Sequence, residues 1–115
     1  IVGWRIRGSF WDALLGYRSL DHRWGIALSL HLAAELTAVE GRHERAVSLL
    51  GTSAALRDSI GAAVMPFNRR WIDEALARAA AVLAPAAFEE AWRSGRAAAH
   101  ETVVADVIRE AGRYE

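Results

Sequence analysis

Glycine and proline divide the sequence at the points where one run of helical periodicity ends and the next begins. From residue 22 onward, apolar residues recur at three- and four-residue spacing, and no stretch shows the alternation of a β-strand. Gly41 and Gly61 suit the position after a helix C-terminus, whereas Pro66 and Pro85 suit a first helical turn, where the missing N–H costs nothing. The pattern predicts an all-α fold with helices over residues 22–40, 43–59, 66–84, 85–97 and 99–112.

The first twenty residues show a weaker pattern. Ser9 is a suitable N-cap, and the apolar residues that follow it predict a short helix over residues 9–20. We therefore divide the chain into a lead-in over residues 1–20, with part of a preceding repeat helix, and a helical domain over residues 21–115. Asp21 is the expected N-cap of the first helix of that domain.

The composition favours close packing of these helices. Alanine supplies 24 of the 115 residues, and small side chains let helix axes approach each other closely. Short connections then predict five or six helices in antiparallel hairpins. The second of these helices, over 43–59, is expected to turn Ser48 and Thr52 toward water.

The hairpin over residues 22–59 has the layout of a tetratricopeptide unit, which repeats about every 34 residues. Ala34, Gly41 and Ala46 stand where that pattern places a small residue, a glycine-containing turn and an alanine. We therefore expect the end of a tetratricopeptide-like α-solenoid, because terminal repeats of an array depart from the consensus.

Charge and composition exclude several classes of function. Fourteen arginines balance fourteen acidic residues, so the chain has no basic field for a nucleic acid backbone. Without cysteine there is no disulfide, thiolate nucleophile or cysteine zinc site, and without lysine there is no P-loop. The chain also lacks the run of about 20 apolar residues that spans a membrane. We expect a cytoplasmic protein without a cofactor, a direct nucleic acid contact or a membrane contact.

No catalytic or metal site is predicted. The four histidines, at positions 22, 31, 43 and 100, do not show zinc-ligand spacing. His31 and Glu35 lie one helical turn apart and could form an acid–base pair or a two-ligand site, but a hydrogen-bonded pair at a seam between helices is the favoured interpretation. The adjacent carboxylates at 73–74 and 89–90 point about 100° apart on a helix, so neither pair can share a proton.

The candidate ligand- or partner-binding residues are aromatic and cationic. Arginines next to tryptophans are typical of ligand surfaces, although the interleaved acidic residues favour solvated, ion-paired faces. The helical positions of three tryptophans also favour burial in a core between helices. The candidates are Trp24, Arg57, Arg69, Arg70, Trp71, Trp92 and Arg96.

Most of the chain resembles the C-terminal helical segment of large multidomain bacterial regulators, which are common in actinobacteria. The following elements carry the resemblance, in order: Trp24-Gly25-Ile26-Ala27, Gly41, Arg45-Ala46, Leu49-Leu50-Gly51, Leu56-Arg57, Gly61-Ala62, Pro66, Ala87-Phe88, Ala91-Trp92 and Gly95-Arg96. The chain departs from the family at Thr52-Ser53, where two alanines are common. The use of arginine in place of lysine throughout the chain is also typical of proteins encoded by a GC-rich genome.

The resemblance implies a regulatory segment. Such proteins combine a signal-transduction ATPase with a tetratricopeptide-like region, and many add a LuxR-type helix-turn-helix or a cyclase domain. The segment is then expected to bind protein partners, other domains of the same polypeptide or a small effector, and to perform no catalysis. One alternative is a small-ligand sensor with Trp24, Arg57, Trp71 and Trp92 as pocket walls. Another is a homodimerisation module built on the apolar start of the chain, which includes Trp4 and Trp11.

Overall fold

The computed structural model describes residues 12–111, which are all-helical and contain no strand. Residues 12–19 form α1. The helices that follow are α2 (Arg23–Val39), α3 (His43–Ile60), α4 (Pro66–Val82), α5 (Pro85–Ala97) and α6 (His100–Ala111). The all-α prediction is confirmed, and each predicted helix from residue 22 onward lies within about two residues of an observed one. The expectations for Ser9, Trp4 and Trp11 lie outside the described residues.

The N-cap of α2 differs from the prediction. His22, rather than Asp21, occupies the cap, and its Nδ1 accepts a hydrogen bond from the Gly25 backbone N–H at 3.0 Å. Asp21 instead has a left-handed backbone with φ 49°, which completes the turn after α1. A neutral imidazole nitrogen thus performs the capping that propensity assigned to a carboxylate.

The helix boundaries predicted at two glycines and two prolines are confirmed. Gly61 is the C-cap of α3 with φ 65°, and Gly41 follows the end of α2 with φ 82°. Both angles lie in the left-handed region, where glycine avoids the cost of a Cβ atom. Pro66 and Pro85 open α4 and α5, because proline fixes the helical φ and needs no hydrogen bond there.

The core forms around α3, which packs against α2, α4, α5 and α6. α2 and α3 form an antiparallel hairpin, and Ser53 of α3 donates a buried hydrogen bond of 2.7 Å to the Ala27 carbonyl of α2. One continuous cluster of buried apolar side chains joins the helices: Leu14, Ile26, Ala27, Leu30, Ala33, Ala34, Leu49, Leu50, Leu56, Ile72, Ala75, Val103, Val104 and Val107.

α5 packs mainly against α3 rather than against its sequence neighbour α4. The two backbones nearly touch at a pair of glycines: a Cβ atom on Gly51 would lie 2.7 Å from the Trp92 carbonyl oxygen, and one on Gly95 would collide with the Ser48 backbone. Thr52 is buried at this crossing and donates a hydrogen bond of 2.7 Å to the Gly95 carbonyl, so the prediction that Thr52 faces water is wrong. The glycines bring α5 so close that it covers this side of α3.

Ion pairs tie α6 and α5 to opposite ends of α3. At the N-terminal end of α3, Glu110 of α6 lies 3.1 Å from Arg45 and 3.9 Å from Arg42. At the C-terminal end, Arg96 of α5 donates a 2.9 Å hydrogen bond to Asp58. Both pairs are partly exposed, so each fixes orientation more than it adds stability.

Candidate functional site

A group of ionisable side chains lies where α2 and α3 meet, with α4 alongside. His31 of α2 and Arg57 of α3 are both buried, with only 1% and 6% of their surface exposed. Antiparallel pairing brings the first half of α2 to the second half of α3, as the hydrogen bond from Ser53 to Ala27 shows. The core of this small domain therefore contains two basic side chains where apolar residues are usual.

His31 and Glu35 form the seam pair that the sequence predicts, but without the hydrogen bond. His31 Nε2 lies 3.5 Å from Glu35 Oε1, and neither of these buried atoms has a hydrogen-bond partner in the described part of the chain. His31 Nδ1 is also unpartnered there. The distance is too long for a strong hydrogen bond, so the two side chains are close neighbours without a hydrogen bond between them.

Burial sets the ionisation of this pair. Burial, and after it the nearby Arg57 charge, lower the pKa of His31 to about 4. Burial also raises the pKa of Glu35; Arg78 opposes that rise and Glu74 reinforces it. The imidazole of His31 is therefore neutral at pH 7, with one N–H to donate and one nitrogen lone pair to accept.

Arg57 lacks the partner that a buried guanidinium usually has. Among the described residues, no carboxylate forms an ion pair with it and no acceptor is hydrogen-bonded to its side chain. Burial, and then the charge of Arg69 on α4, lower its pKa from the usual very high value. Arginine nonetheless stays protonated in proteins, so Arg57 keeps its positive charge on a side chain that is largely buried.

Trp24 and Trp71 do not lie in the core, and that part of the prediction is wrong. Trp24 is 47% exposed and Trp71 is 42% exposed. Trp24 occupies the first turn of α2, where its ring meets His22 edge-on at a centroid distance of 6.4 Å. Helical spacing identifies which residues share a face, but it does not reveal whether another helix covers that face.

Trp92 is half-buried and packs against the core, as predicted. The Arg96 guanidinium lies 6.0 Å from its ring centroid, at the outer limit of a cation–π contact, and also bonds to Asp58. On the outer side of α5, Trp92 lines an open groove of about 570 Å³ together with Phe88 and Arg93. The structural role of Trp92 and Arg96 is therefore to join α5 to α3.

Arg69 and Arg70 are exposed in the first turns of α4. Arg70 forms an ion pair with Glu74, four residues further along α4, at 3.1 Å. Arg93 pairs with Glu90, three residues before it, and not with Glu89, four residues before it. The candidate residues thus lie in separate places: Arg57 near Arg69, Trp92 with Arg96, and Trp24 on the outer face of α2.

Sequence reasoning missed an apolar surface on α2. Leu32 is 40% exposed and Val39 is 86% exposed, and with Trp24 they follow one face of the helix at spacings of eight and seven residues. We call Trp24, Leu32 and Val39 the α2 face. The sequence signal is present, because α2 has apolar residues all around its circumference, but the same pattern also fits a helix that is covered on more than one side.

The described residues show no metal centre: they contain no group of three or more histidine, aspartate or glutamate side chains placed to hold an ion. No described helix combines the length and the apolar character that crossing a bilayer requires. Comparisons with protein-family models, with curated proteins and with solved structures returned no match.

Proposed function

We propose that this chain is a non-catalytic helical module that binds another helical segment of its own polypeptide, within a cytoplasmic regulator of the LuxR type. The observation that carries the proposal is the α2 face, which presents large apolar side chains to solvent along the whole helix. Contiguous exposed apolar surface on a small domain marks an interaction site. A tetratricopeptide-like array is the arrangement in which such a face would meet the next repeat.

The geometry of the α2 face favours a helix as its occupant. Trp24 and Val39 are separated by fifteen residues of helix, so the face is about 22 Å long. Apolar residues at helical spacing along such a length pack into the groove of a partner helix. Helical spacing also places Glu35 on this side of α2, but its side chain is only 19% exposed, so the matching helix would present a mainly apolar stripe.

The family resemblance supports the regulatory part of the proposal. Several residues that carry it have clear structural roles: Gly51 and Gly95 permit the α3–α5 crossing, and Gly25 leaves room for the ring of Tyr17 on α1. A family that keeps these residues would keep this packing. The proposal follows the resemblance in treating the chain as a scaffold that restrains or releases other domains.

A binding measurement in trans tests the proposal. The chain is mixed with the rest of the polypeptide that its gene encodes, and the affinity is measured by calorimetry. We expect binding that Leu32→Glu weakens at least about tenfold, because the charge would be desolvated in the interface. Ala105→Glu, which adds the same charge on an exposed position of α6, is the matched control and should bind as the unchanged chain does.

Three outcomes would contradict the proposal. One is an absence of binding in trans, and another is equal loss in both variants. The third is a gene that encodes these 115 residues alone. Sedimentation at several concentrations covers the homodimer alternative: a dimer that Leu32→Glu dissociates would identify a second copy as the occupant of the α2 face.

A further inference from the structure

A carboxylate lies among the apolar side chains of the α2 face. Glu35 comes three residues after Leu32 and four residues before Val39, so helical spacing places it on the same side of α2. Its side chain is only 19% exposed, so water reaches a small part of it. A helix that covers the α2 face would therefore remove much of the water that this carboxylate still contacts.

The buried part of Glu35 has no hydrogen bond that could replace this water. Its Oε1 lies 3.5 Å from His31 Nε2, and both atoms are buried and unpartnered among the described residues. His31 is the basic side chain within ion-pair distance of Glu35 in this part of the chain, and it is neutral at pH 7. A carboxylate that is buried without a charged or hydrogen-bonding partner is far more costly than a neutral carboxyl group.

Charges on the neighbouring helices act on this pair in both directions. On α4, Arg78 favours the negative charge of Glu35, whereas Glu74 disfavours it. On α3, Arg57 disfavours a positive charge on His31. Burial is the largest influence on both side chains: it raises the pKa of Glu35 and lowers the pKa of His31. Further burial beneath a partner helix would act in this same direction, against a net charge on the pair.

We propose that covering the α2 face draws one proton from solvent into the His31–Glu35 pair, so that the partner helix binds more tightly as the pH falls. With one additional proton the pair has no net charge if the proton is on Glu35, and it has two opposite charges if the proton is on His31. Either arrangement allows a charge-free or charge-assisted hydrogen bond between Glu35 Oε1 and His31 Nε2. This proton coupling rests on the proposed function, because it concerns the same surface and the same partner.

Calorimetry at two pH values tests the coupling. The binding reaction is the one described above, between this chain and the rest of its polypeptide. Binding that takes up one proton gains up to about tenfold in affinity for each unit by which the pH falls. We expect the Kd to fall at least about threefold from pH 7 to pH 6, which corresponds to an uptake of about half a proton. Titrations in buffers with different ionisation enthalpies measure that uptake directly and need no variant.

Matched variants assign the proton to the pair. Glu35→Gln keeps the shape of the side chain and removes the titrating group, so it should bind more tightly than the unchanged chain at pH 7 and should lose the pH dependence. Glu101→Gln is the control: Glu101 also lies close to a histidine, 3.3 Å from His100 Nε2, but its side chain is 71% exposed on α6. It should keep the pH dependence of the unchanged chain. Helical circular dichroism at both pH values establishes that each variant is folded.

The possible failures separate the coupling from the proposed function. Binding without proton uptake would overturn the coupling alone, because the helix would still occupy the α2 face. A pH dependence that persists in folded Glu35→Gln would overturn it as well. Weaker binding of Glu35→Gln than of the unchanged chain at pH 7 would also overturn it, by showing that the partner offers a cation to the carboxylate. An absence of binding at both pH values would overturn the coupling and the proposed function together.

Discussion

The titration of His31 makes the free energy of unfolding depend on pH. The pKa of His31 falls from 6.5 in the unfolded chain to about 4 in the folded one, so the unfolded chain binds the proton more readily between these values. Its contribution to stability is complete above pH 6.5 and is lost as the pH falls toward 4. Glu35 acts in the opposite sense, because its raised pKa makes the folded chain the better proton acceptor.

The variant His31→Leu tests this linkage. For the native chain, the two pKa values of His31 imply a loss of about 2 kcal/mol in the free energy of unfolding between pH 7 and pH 5. His31→Leu removes the titrating group and should lack that part of the loss. Urea denaturation at both pH values measures it, with His43→Gln, at the partly exposed start of α3, as the control. Equal pH dependence in His31→Leu and the native chain would contradict the linkage.

Arg57 gives a second prediction about a single residue. Arg57→Met should increase the free energy of unfolding by about 1 kcal/mol, because it replaces an unpaired and largely buried guanidinium with an apolar side chain of similar length. Urea denaturation in chloride buffer measures this change. A decrease of the same size would show that the guanidinium is already satisfied in the folded chain.

Single residues also show how far sequence reasoning reaches. The spacing of His31 and Glu35 was sufficient to predict a pair at a seam, because both lie on one face of one helix. The isolation of Arg57 could not be predicted in this way. It depends on which acidic residues other helices bring near, and Asp58, adjacent in sequence, turns instead to Arg96.

The α3–α5 crossing is the element contact most sensitive to mutation. A Cβ atom on Gly95 would collide with the Ser48 backbone, which cannot move aside as a flexible side chain can. Gly95→Ala should therefore lower the free energy of unfolding by about 2–4 kcal/mol, despite the gain of about 1 kcal/mol in helix propensity. Urea denaturation at neutral pH measures this loss.

Gly16→Ala is the matched control for this crossing. Gly16 lies within α1, and nothing comes within 4 Å of an added Cβ atom, so the substitution should stabilise the chain by about 0.5–1 kcal/mol. Losses of similar size at the two positions would show that the effect comes from glycine replacement in general. A neutral Gly95→Ala would mean that α3 and α5 do not approach as closely as the structure shows.

Helices were easier to predict than the contacts between them. Gly41, Gly61, Pro66 and Pro85 determine where helices end or begin through local backbone geometry, which sequence shows directly. The packing of α5 on α3 depends on a glycine pair separated by more than forty residues. Each glycine taken alone only lowers the helix propensity of its own segment. The two form a contact surface because the fold brings them together.

At the scale of the whole molecule, the described residues combine a shared core with an exposed apolar face on α2. α3 lies at the centre with helices packed around it, whereas the outer side of α2 keeps Trp24, Leu32 and Val39 in contact with solvent. The all-α architecture could be predicted from periodicity, but the exposed face of α2 could not. Apolar content alone does not distinguish a helix that is covered on two sides from one that leaves an apolar side exposed.

Oxidative footprinting of the intact polypeptide tests the role of the α2 face most directly. Hydroxyl radicals label exposed side chains, and labelling is compared between this chain alone and the same residues within the whole protein. We predict that Trp24 and Leu32 are labelled in the chain alone and are protected severalfold in the whole protein, while Met65, which is 64% exposed in the α3–α4 connection, stays labelled in both. Equal labelling of Trp24 and Leu32 in the two samples would contradict the proposal, as would protection in the chain alone that disappears when residues 1–11 are deleted.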